Sequence, residues 1–519
     1  MKIRKMPKTL CLLLTVGLLT TAMLSGCGSK SANQDAAKAD TPTQASTTDA
    51  EGNQTLDPVN LTWYVVGTPQ KDQQLVTDEI NKILKEKINA TLTINTIDWG
   101  AYDQKMNVIT SSGEPYDLAF TSSWANNYTQ NVSKGALLPL DDLLQKYGKH
   151  ILEQVPEKYW PAAKVNGKTY GVLNYQIYAI GRGLNIKKDL ADKYALDTTK
   201  IKKYADITPF LGQVKQGEPG ITPYLATGNI THMFELYDNE KGMTVDQVQG
   251  NSVNPLGIRT DDPAFKVFNL LESPEFMAQA KMFREWYEKG YIRKDAAALK
   301  DEKAEAKTGK YVVVTGGYGP GSESGASTDL GYPVVQGKPV PQFVNTGSVI
   351  AAMTGINKNS KNPERAMMLL DLLFEDKELY NLVTYGIEGK HYTKVDENTV
   401  EIVKDSAYNP NNAWEFGSWF NAYVQKGQPA DTWDQMKKAN DDSITSPLLG
   451  FLYNADDKKR ENAQVNAIMN EYLSIIYTGT QDPEKTVPEL LEKLKAAGID
   501  ALITDAQKQI DEWKAANGK

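Results

Sequence analysis

A chain of 519 residues is too long for a single hydrophobic core, so two or more domains are expected. Apolar residues make up 40% and charged residues 24%, the balance of a soluble globular protein, and a formal net charge of −8 argues against nucleic acid as partner. Two cysteines, Cys11 and Cys27, and three scattered histidines, His150, His232 and His391, exclude a disulfide framework and offer no zinc-ligand spacing.

The first residues set the expected compartment. Lys2, Arg4, Lys5 and Lys8 precede an apolar stretch from Leu10 to Met23, too short for a stable membrane span. Leu24-Ser25-Gly26-Cys27 then resembles the lipobox of bacterial lipoproteins. That resemblance implies a signal peptide over 1–26, cleavage before Cys27 and lipidation of its thiol. The mature chain would keep one cysteine, at its anchor. Loss of the four leader cations would move the net charge from −8 to −12. Residues 27–57 are rich in Ser, Thr, Ala, Gln and Asp without apolar periodicity, which predicts a flexible tether.

Leu61–Val66 reads as a first strand, and Val76, Ile80, Ile83, Leu84 and Ile88 predict an amphipathic helix over roughly 71–88. Thr91–Ile97 is a second strand, ended by Asp98-Trp99-Gly100. Tyr102, Met106 and Ile109 mark another helix. Tyr116–Phe120 is a third strand, buried, with Thr121–Trp124 as its outward rim. This β-α-β-α-β run predicts a mostly parallel sheet with helices on its faces. Asn166-Gly167 signals a hairpin, and Ser273-Pro274 and Asn362-Pro363 start helices. Tyr311–Val314 is a further buried strand, followed by a glycine-rich loop. Three apolar stripes within 465–513 make the C-terminal part mainly helical.

No enzyme signature survives inspection. Gly316–Gly321 lacks the Lys-Ser/Thr of a phosphate cradle, and no Gly-x-Ser-x-Gly elbow occurs. A glycosidase needs two carboxyls about 5 to 9 Å apart, and nothing singles out two among 65 acidic residues. What stands out is the placing of aromatics. Trp99, Trp124 and Tyr318 follow predicted strands, and Trp414 and Trp419 lie in a loop-like segment. An indole in a loop needs a cover. Either each packs back onto its own lobe, or a flat sugar face covers it while Asp98, Ser122 and their neighbours bond the hydroxyls. Trp63, in mid-strand, is read as core.

Together these features resemble the extracellular solute-binding proteins of bacterial ABC importers, most closely the sugar-binding lipoproteins of family 1. The resemblance rests on Leu24–Cys27, Tyr116-Asp-Leu-Ala-Phe-Thr121, Asn166–Gly171 running into Leu184–Lys188, Gly337-Lys-Pro339, Gly347–Met353, Asn362–Ala366 and Tyr385–Tyr392. It implies an α/β, two-lobed periplasmic-binding-protein-like fold of type II, each lobe a mostly parallel sheet flanked by helices. Lobe one would be 58–177 plus 343–390, and lobe two 178–342 plus 391–519. Crossings would lie near Asn174–Gln176, Pro341–Val344 and Glu388–Tyr392. Implied too are a monomer held to the outer face of the cell membrane by Cys27, an oligosaccharide ligand, and an ABC permease partner. Trp124, Tyr318 and Trp414 or Trp419 match the sugar-stacking aromatics, with Tyr178 on the opposite wall. No enzyme activity, cofactor or metal is expected, and no Asp-rich calcium loop is present. The alternatives are a peptide or other small solute in the same fold, a surface glycoside-active enzyme, and a sensory co-receptor.

Overall fold

The computed structural model describes residues 46–48, 54–179, 181–228, 245–248, 253–299 and 301–518. The leader, the Leu24–Cys27 motif and most of the expected tether lie outside the described residues. Residues 1–55 form a separate N-terminal unit, and the body of the fold runs from Leu56 to the end of the chain.

The body opens with β1 (Val59–Val66), β2 (Ala90–Ile97) and β3 (Leu118–Thr121). β1 pairs in parallel with β2 from Val59 opposite Ala90 to Val66 opposite Ile97, and in parallel with β3. Parallel neighbours need a crossover, and α1 (Gln73–Ile88) and α2 (Tyr102–Ser112) supply it. α1 buries Val76, Ile80, Leu84 and Ile88, the four-residue spacing that puts side chains on one helix face. Trp63 is buried in mid-strand, as read from its position. The Asn166-Gly167 hairpin forms with both residues at positive φ, 50° and 77°, the pair a tight type I′ turn requires. It feeds β4 (Gly171–Leu173).

The chain then leaves for a second sheet, built from β5 (Gly181–Lys187), β6 (Thr222–Tyr224), β7 (Tyr311–Tyr318) and β8 (Val334–Gly337) in the order β6-β7-β5-β8. It returns as β9 (Met353–Ile356), which inserts between β3 and β4 and completes the first sheet in the order β2-β1-β3-β9-β4. The α/β two-lobed class is as expected. The sheets, however, are mixed rather than mostly parallel. Only β1–β3 and the β6–β7 pair are parallel, whereas β9 runs against β3 and β4, and β5 against β7 and β8. The reason is where the chain enters. Met353 of β9 lies opposite Thr121, the last residue of β3, and Gly181 of β5 lies opposite Tyr318, the last residue of β7. A strand arriving at its neighbour's C-terminal end has to run backwards along it.

The C-terminal stripes fold as expected. α3 (Pro274–Glu288) is capped by the Ser273 hydroxyl, which accepts the Phe276 N–H. It packs with α4 (Lys459–Tyr477), α5 (Pro483–Ala496) and α6 (Ile499–Asn517) around Val465, Met469, Leu490, Leu494, Leu502 and Ile510. Residues 391–425, expected with the second lobe, lie elsewhere. Tyr392, Val400, Tyr408, Phe416 and Ala422 belong to the core beneath the first sheet, because the two helices before them, Pro363–Glu375 and Lys377–Tyr385, offer an apolar face there. The buried Arg365 guanidinium of that first helix donates to the carbonyls of Asp57, Ile88 and Asn89, which fixes the start of the body against the sheet.

Three segments pass between the lobes and run side by side. Phe343–Val344 pairs in parallel with Ile444–Thr445, the Ser446 N–H donates to the Val344 carbonyl at 2.7 Å, and the Gln342 amide reaches the Ala179 carbonyl at 2.9 Å. Residues 440–446 thus run alongside the segments near 176–179 and 342–344. Asn440 clamps the bundle. Its side-chain oxygen accepts the Tyr178 and Ala179 N–H groups at 2.7 and 3.0 Å, and its amide donates to the Gln176 carbonyl at 2.8 Å. Buried backbone groups that lose a partner cost about 1–3 kcal/mol each. Asn440→Ala is therefore expected to lower the unfolding free energy by roughly 3 kcal/mol, read as a fall in the urea midpoint.

Candidate functional site

The C-terminal ends of β1, β2 and β3 lie along one edge, where an open α/β sheet presents its ligand loops. Each loop is held by its own short polar contacts. After β2, Asp98 makes a tight turn: its side chain accepts the Gly100 N–H at 3.1 Å, its carbonyl accepts the Ala101 N–H at 2.9 Å, and Trp99 stands at the apex. After β3, the Ser122 hydroxyl accepts the Trp124 and Ala125 N–H groups at 3.1 and 2.7 Å and donates to the Ala125 carbonyl. Asp103 of α2 accepts the Asn126 N–H at 2.6 Å, which ties that loop to the neighbouring helix.

These turns bring three indoles together. Trp99 and Trp124 stack with centroids 6.1 Å apart and planes 18° from parallel. Trp414 closes the group at 6.2 Å from Trp99 and 6.1 Å from Trp124, with the Phe120 ring behind it at 5.8 Å. The Trp124 indole Nε1–H donates to the Ala351 carbonyl at 2.8 Å, so its plane is fixed. Trp99 and Trp124 nonetheless each keep 46% of their surface exposed, and Trp414 is half-buried. Three adjoining rings, two of them nearly half exposed, form an apolar platform.

Beside the platform lies a cavity of about 240 Å³. Ser122, Ser123 and Thr129 line it from the first lobe, and Gln247, Phe451 and Tyr453 from the second. The lining is polar, but much of it is already engaged. The Ser123 hydroxyl donates to the Gly347 carbonyl, that of Thr129 to Asn127, and that of Tyr453 to Asp505. Thr346 bridges the lobes, its hydroxyl donating to the Leu448 carbonyl and accepting the Gly450 N–H. Below the second wall, the buried Asp246 carboxyl accepts from the Ser446 hydroxyl, and burial pushes it up to about 7.

The residues expected at a site therefore divide. Asp98, Trp99, Trp124 and Trp414 come together on one edge. Ser122 is fully buried and its hydroxyl is spent on its own turn, and Thr121, expected on the rim, is the buried last residue of β3. Tyr178 is a core residue: its ring meets Tyr159 at 4.7 Å, its hydroxyl donates to the Asn174 carbonyl, and burial raises its phenol well above the ordinary range. Tyr318 folds back over β5. A β-carbon on Gly181 would meet its ring at 2.2 Å, and its hydroxyl donates to the Val340 carbonyl at 2.6 Å. Trp419 packs against Trp433 at 5.8 Å. Position after a strand finds a loop aromatic. It does not say whether a glycine on the facing strand will let the ring fold inward. Sequence reading missed Gln247, Phe451 and Tyr453. The only signal was the aperiodic apolar run Leu448–Tyr453. Among the described residues no three His, Cys, Asp or Glu side chains converge as metal ligands.

Residues 66–379 match the family described as bacterial extracellular solute-binding protein, and residues 447–515 match a domain of unknown function, DUF3502. A protein of Streptococcus pneumoniae serotype 4 named carbohydrate ABC transporter substrate-binding protein is 32% identical over 456 residues, 87% of this chain and 90% of its own length. The fold is similar to the crystal structure of the N-glycan transport solute binding protein NgtS of Streptococcus pneumoniae, with a TM-score of 0.79 and 31% identity over 88% of this chain and 99% of that one. The structure of NgtS in complex with Man5GlcNAc gives a TM-score of 0.68 at 31% identity, covering 88% and 98%. With a family match over residues 66–379 and a relative 32% identical over 87% of its length, the chain belongs to the bacterial extracellular solute-binding proteins.

Proposed function

We propose that this protein is the oligosaccharide receptor of an ABC importer, that it binds glycan on the Trp99–Trp124–Trp414 platform, and that it hands the glycan to a membrane permease. The observation that carries this reading is the platform itself: two stacked indoles with nearly half their surface open, one of them, Trp124, held in plane by its hydrogen bond to the Ala351 carbonyl. The CH-rich face of a pyranose suits such rings, and the exposed Asp98 carboxylate at their margin can accept from sugar hydroxyls. The names of its relatives, a carbohydrate transporter protein and an N-glycan binder, support the same ligand class.

The lobes would close around glycan because it touches both, the platform on one side and the Phe451–Tyr453 wall on the other. Lobe one is proposed as 58–177 with 343–439, and lobe two as 178–342 with 440–519. A lipid on Cys27 would hold the receptor at the outer face of the membrane, with 28–57 as its tether. We read no catalysis into the site: the two buried carboxyls near it, Glu415 and Asp246, are both engaged by internal hydrogen bonds.

Titration with mannose–GlcNAc oligosaccharides, followed by tryptophan fluorescence and melting temperature, tests this reading. A binder at 100 times its dissociation constant adds about 2.7 kcal/mol of stability. No shift with any glycan, or release of reducing ends on prolonged incubation, would sink it. Trp124→Ala is expected to weaken binding by roughly 10- to 100-fold while barely moving the melting temperature of the free protein. Tyr178→Ala should do the reverse, costing about 3–5 kcal/mol of stability as a core truncation.

A further inference from the structure

Behind the platform sits a carboxyl that the proposed function does not use. Glu415 follows Trp414 on the single turn Ala413–Glu415 and is 1% exposed. One of its oxygens accepts the N–H of Val66, the last residue of β1, at 2.9 Å, and the other accepts the Asn412 side-chain amide at 2.9 Å. Its own carbonyl accepts the Asn174 side chain at 2.5 Å, where the first crossing begins. Glu415 thus joins three things: the sheet edge, the turn that carries Trp414, and the segment between the lobes.

No cation compensates it among the described residues. The titratable groups that face it are the phenols of Tyr102, from α2, and Tyr408, from the segment after β9 and its helices, and burial raises both, so they stay neutral. Burial likewise pushes Glu415 up to about 8. A second, independent oddity lies beside it: the side-chain oxygen of Asn412 is buried with no partner. In the arrangement observed both carboxyl oxygens receive N–H donors, which is the bonding of the ionised group. A protonated Glu415 has to donate, and the acceptor at hand is that Asn412 oxygen, reached by a half-turn of the Asn412 amide. The half-turn breaks the present bond two residues before Trp414.

We propose that Glu415 is the positioning residue of the tryptophan platform, and that glycan binding is proton-linked through the Glu415–Asn412 pair. This rests on reading the platform as the glycan site. The ionised pair holds Trp414 as found, so affinity falls as the carboxyl takes up a proton. The sign for stability is opposite. The folded state holds this proton more tightly than the unfolded chain, so stability falls as pH rises from about 4.5 towards about 8.

Two measurements separate this proposal from the reading it rests on. The first needs no ligand. Tryptophan fluorescence of the free protein, followed from about pH 5.5 to about pH 9.5, should show a one-proton transition that Trp414→Phe removes and Glu415→Gln flattens. Asp246 is unchanged in E415Q, so its own titration remains as background. Retention of the wild-type transition in E415Q overturns the proposal. Asn412→Ala, which deprives the ionised form of a donor, should move the midpoint upward; a merely structural role would lower the melting temperature and leave the midpoint where it is. The second measurement titrates a mannose–GlcNAc disaccharide. Wild-type affinity should rise about 5-fold or more from about pH 6 to about pH 9, and that of E415Q by less than about 2-fold. A flat wild-type profile, or one that falls, overturns the linkage. If the fluorescence transition behaves as stated and the sugar binds at no pH, the glycan reading has failed and the positioning role stands.

Discussion

Everything that lets two lobes share one ligand runs through three strips of chain that cannot hide their backbones in either sheet. A crossing strip leaves the hydrogen-bond ladder of one lobe before it joins that of the other, and its N–H and C=O groups are buried between them. Here they bond to one another and to the Gln342 and Asn440 side chains. Asn440 offers an acceptor and a donor at fixed spacing, which is what two N–H groups and one carbonyl of Gln176–Ala179 need. An aliphatic chain in its place would serve none of the three. The same strips fix the strand directions. Because the chain re-enters each sheet at the C-terminal edge of its neighbour, β5 and β9 are antiparallel, and the loop-bearing edges of both sheets meet the crossings.

The platform inherits its rigidity from this arrangement. Trp99, Trp124 and Trp414 come from three separate parts of the chain, and no two of them lie in one turn. Each is placed by contacts to backbone rather than by the others: Asp98 and Ser122 shape the first two turns, and Glu415 holds the third against β1. A platform fixed in this way loses little conformational entropy when something covers it. By contrast, the hydroxyls around the cavity are mostly committed to protein partners, so the open indoles are the more available surface.

The buried carboxyls are the costly part of the design. Among the described residues, Glu415 and Asp246 are engaged by neutral donors. Burial without a cation raises the free energy of the charged form, and for Glu415 this occurs next to the turn that aims an indole. A glutamine has a single acceptor oxygen and could take only one of those two N–H groups unless the Asn412 amide turned over, so the two-acceptor bonding is particular to the acid.

Sequence alone determined what local chemistry controls. The helix over 73–88, the Asn166-Gly167 hairpin, the Ser273 cap and the three C-terminal stripes were legible because periodicity, φ preference and capping act within a few residues. The crossover rule made β1, β2 and β3 parallel before any contact was known. Trp99, Trp124 and Trp414 were legible one by one, as loop aromatics. Their meeting was not, because it depends on pairings between residues hundreds of positions apart. Tertiary structure alone decided that Tyr178 and Tyr318 turn inward, the second because Gly181 leaves room for its ring, and that 391–425 returns to the first core. It alone brought 440–446 alongside 176–179, where one asparagine side chain satisfies backbone from a segment some 260 residues earlier. No window of sequence carries that information, since the pattern that fixes it is a set of buried N–H and C=O groups looking for partners, and every residue carries those.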